Sequence, residues 1–216
     1  MSTIKILLLL FYFNIGISVI AQNTETLPDL SKVKDSNSWI LSNREIKIEK
    51  DGVIHLNGKQ GDGLLWIKEP IITNGRIECD IKGQVIQGKS FVGIAFHGLN
   101  DSTYDAVYFR PFNFKSPDRN AHSVQYISHP EFTWHKLRED NPGKYENSLN
   151  IVPNPNDWFH VTILIDYPKV EVFVNNSENP SLKIKQLSSR KKGWIGFWVG
   201  NNSEGYFKNF KIISNY

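Results

Sequence analysis

The chain has little of several features that would mark common classes of protein. Its 216 residues include one cysteine, Cys79, and its net charge is only +3. One cysteine cannot form a disulfide within the chain, so we expect stability to come from the core alone. Acidic and basic residues are interspersed, and so small a charge gives no reason to expect nucleic acid or an anionic membrane as a partner.

Long hydrophobic runs are scarce as well, and the single one lies at the N-terminus. Residues 6–20 are almost entirely apolar, follow Lys5 and precede the small residue Ala21. This run of about 15 residues is shorter than the roughly 20 that a helix needs to span a bilayer. It predicts a signal peptide over residues 1–21, cleaved before Gln22, and hence a secreted or periplasmic protein. An uncleaved anchor is the alternative.

Helical periodicity is rare in the chain, whereas alternation with a period of two is frequent. Strands are predicted over residues 44–50, 53–57, 64–71, 76–82, 91–97, 104–110, 122–129, 158–166, 170–175, 181–186, 194–199 and 206–213. Short helices are predicted only over residues 29–33 and 134–140, the second stopped by Pro142 and Gly143. The pattern indicates one all-β domain over residues 38–216, a sandwich or a closed barrel, after a polar segment over residues 22–37.

Strand alternation assigns several side chains to the sheet face away from the core. Successive strand residues point to opposite sides of a sheet, so Val107 should face the core and Tyr108 and Arg110 the other side. The same reasoning assigns His97, Gln125, His129, Trp194 and Trp198 to that second face. Small residues between them, such as Gly93, would leave room for a ligand lying across a concave sheet.

The aromatic residues of this face are of the kind that binds carbohydrate. The C–H face of a sugar ring is apolar and packs on aromatic rings, while its edge carries hydroxyl groups. The predicted platform consists of Tyr108, Trp134, Trp194 and Trp198. Hydrogen bonds to the hydroxyls would come from His97, Arg110, Gln125 and His129. The alternative is that the tryptophans pack under a loop as a second small core.

The loop over residues 128–147 is crowded with ionisable and aromatic side chains. It contains Glu131, Trp134, Arg138 and Glu146. A loop of this length and composition usually covers or borders a site. A solvated helix-turn would explain the same composition, and the sequence leaves both interpretations open.

No metal site or cofactor is predicted. The six histidines lack the close spacings of transition-metal sites, and no second cysteine could assist them. A structural calcium ion near Asn100, Asp101 and Asp105 stays open as an alternative, because calcium takes carbonyl and carboxylate ligands. Cys79 lies between charged residues on a predicted strand, which indicates a buried, inert thiol.

Several strands together carry a resemblance to a known family. FVGIAFHG, YDAVYFRPF and HSVQYISH, followed later by DWFHVTILI and GWIGFWVGNNSEGYFKNFKI, resemble the concanavalin A-like lectin/glucanase superfamily. More narrowly, residues 38–214 resemble the exported bacterial domains called 3-keto-disaccharide hydrolase. His97 stands where that family's Gly-Ile-x-Phe-Arg strand has arginine, and Ser123 stands where its Glu-x-Gln strand has glutamate. Only Gln125 matches directly, and the Glu-x-Asp-x-x-Glu strand of the related glucanases is missing.

The resemblance implies a two-sheet jelly roll whose concave face binds carbohydrate. It implies a substrate already oxidised to a ketone at C3, which acidifies the C2 proton and lets the C1 substituent leave by elimination. For such chemistry the sequence offers His129 or His97 as base and Arg110 as oxyanion partner, with Glu131 or Glu146 as acid. The alternative function is a non-catalytic, lectin-like carbohydrate-binding module. Either way, carbohydrate is the expected partner and a monomer the expected state.

Overall fold

A computed structural model describes residues 23–215 and consists almost entirely of strands. The predicted signal peptide, residues 1–21, lies outside the described residues. The strands are β1 (Asn23–Thr26), β2 (Trp39–Ser42), β3 (Ile46–Ile48), β4 (Ile54–Leu56), β5 (Gly63–Ile72), β6 (Asn74–Lys82), β7 (Val92–Gly98), β8 (Tyr104–Phe109), β9 (Val124–His129), β10 (Glu146–Asn147), β11 (Phe159–Asp166), β12 (Lys169–Val174), β13 (Leu182–Lys185), β14 (Gly193–Val199) and β15 (Gly205–Asn215). Short 3₁₀ turns cover Leu30–Lys32, Lys50–Gly52, Pro111–Asn113 and Asn120–His122.

The strands form two antiparallel sheets packed as a sandwich. One sheet has the order β13-β12-β11-β6-β15-β4-β3, with β1 also paired to β15. The other has the order β10-β9-β8-β7-β14-β5-β2. Antiparallel sheets that bury one face against each other are expected from period-two alternation with frequent turns. The predicted all-β, two-sheet sandwich is therefore confirmed.

The core lies between the sheets and is formed by alternate strand residues. Phe197 of β14 stacks on Phe207 of β15 with ring centroids 4.5 Å apart, which joins the two sheets near their middle. Cys79 of β6 is fully buried in this core. Burial, with the nearby Asp80 carboxylate, raises the pKa of the Cys79 thiol well above its usual value. The thiol is therefore protonated at neutral pH and unreactive, as predicted.

All twelve predicted strands are present, but the sequence pattern missed three short ones. β1 lies in the polar segment over residues 22–37 and pairs with the end of β15, so backbone hydrogen bonds attach this segment to the sheet. β2 and β10 contain four and two residues, too few for alternation to be recognised. β10 is important for the site because it adds Glu146 to the edge of the second sheet.

The single α-helix among residues 23–215 is α1 (Trp134–Asp140), at the predicted position. Thr133 begins the helix, and its hydroxyl accepts a hydrogen bond from the Lys136 amide. Leu137 is the buried residue that holds the helix against the domain. No helix within residues 23–215 combines the length and the apolar character that a membrane crossing requires.

Candidate functional site

One row of side chains crosses five strands on the outer face of the second sheet. Strand register aligns Glu146 with Gln125, Gln125 with Tyr108, Tyr108 with Gly93, and Gly93 with Trp198. Residues in register on neighbouring strands point to the same side of a sheet. The row therefore brings together side chains from distant parts of the sequence on the face opposite the core.

Gly93 allows the aromatic rings of this row to meet. A Cβ atom at Gly93 would lie only 2.1 Å from the Val107 carbonyl oxygen and 2.6 Å from the Tyr108 Cα. Without it, Tyr108 and Trp198 close over the strand with ring centroids 4.9 Å apart. The two rings pack together as an aromatic layer at the centre of the sheet, where Tyr108 is 2% and Trp198 4% exposed.

A pocket of about 550 Å³ opens above this aromatic surface, and we call it the Arg110 pocket. Its aromatic lining consists of Phe91, Tyr108, Phe112, Trp134 and Trp198. Its ionisable lining consists of Asp62, Arg110, Arg119, His122, His129 and Arg138. Apolar walls with a few convergent polar groups, in a volume within roughly 300 to 1,000 Å³, are typical of small-molecule sites.

Arg110 forms the buried floor of the pocket. Its guanidinium donates to the His122 carbonyl oxygen at 2.9 Å and also to the Tyr108 hydroxyl and the Gln125 side-chain oxygen. It lies over the Tyr108 ring, 4.7 Å from the centroid. Burial lowers the pKa of Arg110, but an arginine remains charged at neutral pH. The floor is thus a cation held in a fixed orientation.

Glu146 is the carboxylate that neutralises part of this charge. Arg138 donates to both of its oxygens, from Nε at 3.0 Å and from a terminal nitrogen at 2.6 Å. His122 Nδ1 lies 2.9 Å from Glu146 Oε2, and Arg110 lies 3.8 Å from the same oxygen. Burial opposes ionisation, but the hydrogen bonds and charges of Arg138 and His122 outweigh it and lower the pKa of Glu146. Glu146 is therefore ionised at neutral pH, and this state does not suit the acid role expected from the sequence.

A second polar group lies at the other end of β8. Trp198 donates from its indole nitrogen to the Tyr104 hydroxyl at 3.1 Å, and Tyr104 donates to Asp62 at 2.9 Å. His129 stacks on the Tyr104 ring with centroids 5.0 Å apart. Burial lowers the pKa of His129, and the Asp62 charge offsets only part of that effect, so its imidazole is neutral at pH 7. Four strand residues, or about 13 Å, separate Tyr104 from Tyr108.

Asn113 places an unused hydrogen-bond acceptor in the pocket wall. Its side chain is 3% exposed, and its amide nitrogen donates to the His122 carbonyl oxygen at 3.1 Å. The amide oxygen has no partner among residues 23–215. A buried acceptor without a donor is costly, so this oxygen is suited to accept a hydrogen bond from a ligand hydroxyl.

The structure brings seven of the predicted site residues together. Tyr108, Arg110, His129, Trp134 and Trp198 line the pocket, and Gln125 lies beneath it, bonded to Tyr108 and Arg110. Glu146 lies beside them, 3.8 Å from Arg110. Strand alternation was sufficient for Tyr108, Arg110, Gln125, His129 and Trp198, because they lie on or next to regular strands of one sheet.

The prediction for His97 was wrong, because alternation placed its side chain on the open face of the sheet. Ile195 of β14 opposes two residues of β7, Phe96 and His97, so a bulge interrupts the ladder. His97 takes a positive φ of 48° and is fully buried. Its ring nitrogens lie 3.0 Å from the Thr73 carbonyl oxygen and 3.1 Å from the Gln186 amide. A bulge adds one residue and reverses the facing of the side chains that follow it.

Trp194 and Glu131 also lie away from the pocket. Trp194 is beside the same bulge and packs on Trp66, with centroids 6.3 Å apart, in the kind of small aromatic cluster that was the alternative to a sugar platform. Glu131 is exposed on the turn before α1 and does not line the pocket. Neither side chain is placed for the role expected from the sequence.

Asp105, a residue of the suggested calcium loop, is instead an internal ion-pair partner. It is fully buried and accepts hydrogen bonds from Tyr126, from Ser188 at 2.7 Å and from Arg190 at 2.9 Å. Within residues 23–215, no group of three or more His, Cys, Asp or Glu side chains is arranged to hold a metal ion.

Several pocket residues were not predicted from the sequence, among them Asp62, Asn113, Arg119 and His122. Asp62, Asn113 and Arg119 lie in turns or 3₁₀ segments, where alternation carries no information. His122 ends a 3₁₀ turn, although the sequence assigned it to a strand. The glycine-rich turn around Asp62 and the spacing of Arg119 and His122 before β9 were the only signals available.

Three solved structures show the same fold at low sequence identity. A carbohydrate-binding module, CBM66 from Bacillus subtilis, has a TM-score of 0.58 and 13% identity, covering 81% of this chain and 94% of that one. A Bacillus subtilis protein with a galectin-like fold has a TM-score of 0.58 and 16% identity, covering 86% and 91%. A candidate glycosyl hydrolase from Parabacteroides distasonis has a TM-score of 0.53 and 18% identity, covering 87% and 92%.

Sequence comparison assigns the chain to a family. No curated protein matches it significantly. The family model described as the 3-keto-alpha-glucoside-1,2-lyase-like domain matches residues 29–213, which include strands β2 to β14, most of β15 and every residue of the Arg110 pocket. The chain therefore belongs to the 3-keto-alpha-glucoside-1,2-lyase-like domain family.

Proposed function

We propose that this protein is an exported carbohydrate-active enzyme that cleaves 3-keto-glycosides by elimination in the Arg110 pocket. The observation that carries the proposal is the contact between His122 and Glu146, 2.9 Å apart beside the buried Arg110 cation. The imidazole Nδ1 is close to the carboxylate without forming an aligned hydrogen bond in this structure. A base beside a carboxylate and a fixed positive charge is what proton abstraction next to a ketone requires.

The His122 imidazole acts as the base. The Glu146 carboxylate next to Nδ1 favours a proton on that nitrogen, which leaves Nε2 to accept one from the substrate. His122 is half-buried, with 35% of its side chain exposed, so a ligand in the pocket can reach it. The sequence offered His129 for this role, and it remains the alternative base because it also lines the pocket and is neutral at pH 7.

The reaction is balanced without a cofactor. His122 takes the C2 proton, a C1–C2 double bond forms, and the bond between C1 and the leaving oxygen breaks. That oxygen departs with the electron pair and gains a proton from solvent, and water then adds to the unsaturated sugar. The negative charge that develops on the C3 ketone oxygen is stabilised by Arg110 and its neighbouring arginines.

The aromatic walls bind the sugar ring. Tyr108 and Trp198 provide the stacking surface, and Trp134 on α1 borders it from the side. The open acceptor of Asn113 takes a hydroxyl hydrogen. These groups hold the ring while the reacting carbon atoms face His122.

The test is to incubate the purified protein with a 3-keto-α-glucoside and with the same glucoside before oxidation. We expect release of the aglycone from the oxidised substrate alone. Chromatography with mass spectrometry measures the released aglycone. Release from neither compound would contradict the proposal. Release from both would indicate ordinary hydrolysis instead.

The second candidate function is a non-catalytic carbohydrate-binding module. It is favoured by the internal pairing of Arg110 with Tyr108 and Gln125 and by the predominantly aromatic walls, which need no chemistry to bind a sugar. Calorimetric binding of glycosides without turnover of 3-keto-glycosides would support this function over the enzyme.

Export and a monomeric state are part of the proposal. The basis for export is the apolar segment over residues 6–20 after Lys5. Expression of the full sequence in a bacterium, fractionation, and N-terminal sequencing of the product test both cleavage and location. We expect a mature N-terminus at Gln22 and a monomer by light scattering.

A further inference from the structure

The Arg110 pocket carries a net positive charge. Arg110, Arg119 and Arg138 all line it. Its acidic partners are Asp62, which also lines the pocket, and Glu146, which contacts Arg110 and Arg138. Three positive charges against two negative charges leave an excess of one.

The arginines also have unused hydrogen-bonding capacity. Arg138 uses Nε and one terminal nitrogen on Glu146, and its other terminal nitrogen makes no hydrogen bond within residues 23–215. Arg119 is exposed and forms no ion pair within the same residues. Because a guanidinium offers five N–H groups in a planar fork, both residues can bind a further anion with two parallel hydrogen bonds.

The position of Arg138 connects this charge to the sugar surface. Its guanidinium lies over the Trp134 ring, 5.4 Å from the centroid, so the free nitrogen and the aromatic wall are side by side. A ligand that stacks on the aromatic surface would therefore bring any charged substituent next to an arginine fork. A free inorganic anion would use the charge but not the aromatic wall.

We infer that the Arg110 pocket selects glycosides with a carboxylate-bearing sugar, such as a uronic acid, over neutral ones. The inference rests on the carbohydrate function proposed above and names its substrate class. Arg119 and the free nitrogen of Arg138 bind the carboxylate, while Tyr108 and Trp198 hold the ring.

The experiment measures binding and does not depend on turnover. Calorimetry with methyl β-D-glucuronide and methyl β-D-glucoside is performed in 20 mM and 500 mM sodium chloride, with sodium sulfate as a sugar-free anion. We expect the glucuronide to bind about tenfold more tightly than the glucoside at low salt. That advantage should be largely lost at high salt, because ions screen exposed charges.

Two substitutions distinguish binding in the pocket from a general effect of the protein's charge. Arg119→Gln should remove most of the preference for the glucuronide, and because Arg119 is exposed the variant should fold normally. Lys115→Gln removes the same charge from an exposed residue outside the pocket and should leave the preference unchanged.

Each outcome decides the inference. Equal or better binding of the neutral glucoside would overturn it and leave the proposed elimination intact. Sulfate binding as tight as the glucuronide would overturn it in favour of a small-anion site. Preferential glucuronide binding by a protein that turns over no 3-keto-glycoside would support the inference while contradicting the enzyme.

Discussion

Arg138 of α1 donates hydrogen bonds to both carboxylate oxygens of Glu146 of β10, at 3.0 and 2.6 Å. The pair joins the helix to the edge of the sheet across a loop that has no other regular structure. Glu146 is 4% exposed, whereas Arg138 reaches the solvent with 36% of its side chain. This contact holds the wall of the Arg110 pocket in place and also keeps Glu146 ionised beside His122.

Glu146→Gln should destabilise the fold because it leaves Arg138 and Arg110 without their anion. Removing one partner of a buried ion pair costs about 3 to 5 kcal/mol, and we expect the lower end because Arg138 is partly solvated. Urea denaturation at pH 7 measures the loss. Glu139→Gln, an exposed change on the same helix, is the control and should cost less than about 0.5 kcal/mol.

The same pair should make stability depend on pH. Because the pKa of Glu146 is lower in the folded protein than its ordinary 4.5, the folded state favours the ionised form. That contribution is complete above pH 4.5 and is lost as the pH falls through the lower, folded pKa. The difference in unfolding free energy between wild type and Glu146→Gln should therefore shrink below about pH 4.5. The same difference at pH 3 as at pH 7 would contradict this prediction.

His122→Gln should reduce turnover of a 3-keto-glycoside by about 10² to 10⁴, the usual contribution of a general base. Its KM should change little, because the aromatic walls remain. His135→Gln, on the exposed face of α1, is the matched control and should retain full activity. If His129→Gln abolishes turnover and His122→Gln does not, the base is His129.

Trp134→Ala should weaken sugar binding without harming the fold. The side chain is 47% exposed and borders the pocket from α1. Loss of one aromatic contact is worth about 0.5 to 1.5 kcal/mol, or roughly two- to tenfold in Kd. Calorimetry and thermal unfolding measure the two effects. Val152→Ala, another exposed apolar residue away from the pocket, should change neither.

Gly93→Ala should be strongly destabilising, since the new Cβ would overlap the Val107 carbonyl oxygen. The strand would have to move, at a cost of about 1 to 3 kcal/mol or more. At Gly58 the nearest atom to a new Cβ is 3.6 Å away, so Gly58→Ala should be nearly neutral. Chemical denaturation of both variants compares them directly, and equal stabilities would refute the close approach at Gly93.

Cys79 should resist alkylation in the folded protein. Burial raises the pKa of its thiol, so thiolate is scarce at pH 8 and no reagent can reach the sulfur. Mass spectrometry after iodoacetamide treatment should show no adduct in buffer and one adduct in 6 M guanidinium chloride. Rapid labelling of the folded protein would show that the core opens around β6.

Local pattern was enough to predict twelve of the fifteen strands within residues 23–215, α1 and most of the shared sheet face. Tyr108, Gln125 and Trp198 could be assigned to one side because alternation depends only on the two-residue repeat of a strand. The end of α1 could be located because Pro142 and Gly143 follow it. These features arise from neighbours in the chain.

Only the tertiary structure decided which groups meet. The bulge that buries His97 depends on how β7 pairs with β14, and the contact of Asp62 with Tyr104 joins residues 42 positions apart. His122 and Glu146 approach only because β10 pairs with the edge strand β9. Such contacts follow from register and loop closure between distant segments, and no local repeat in the sequence encodes them.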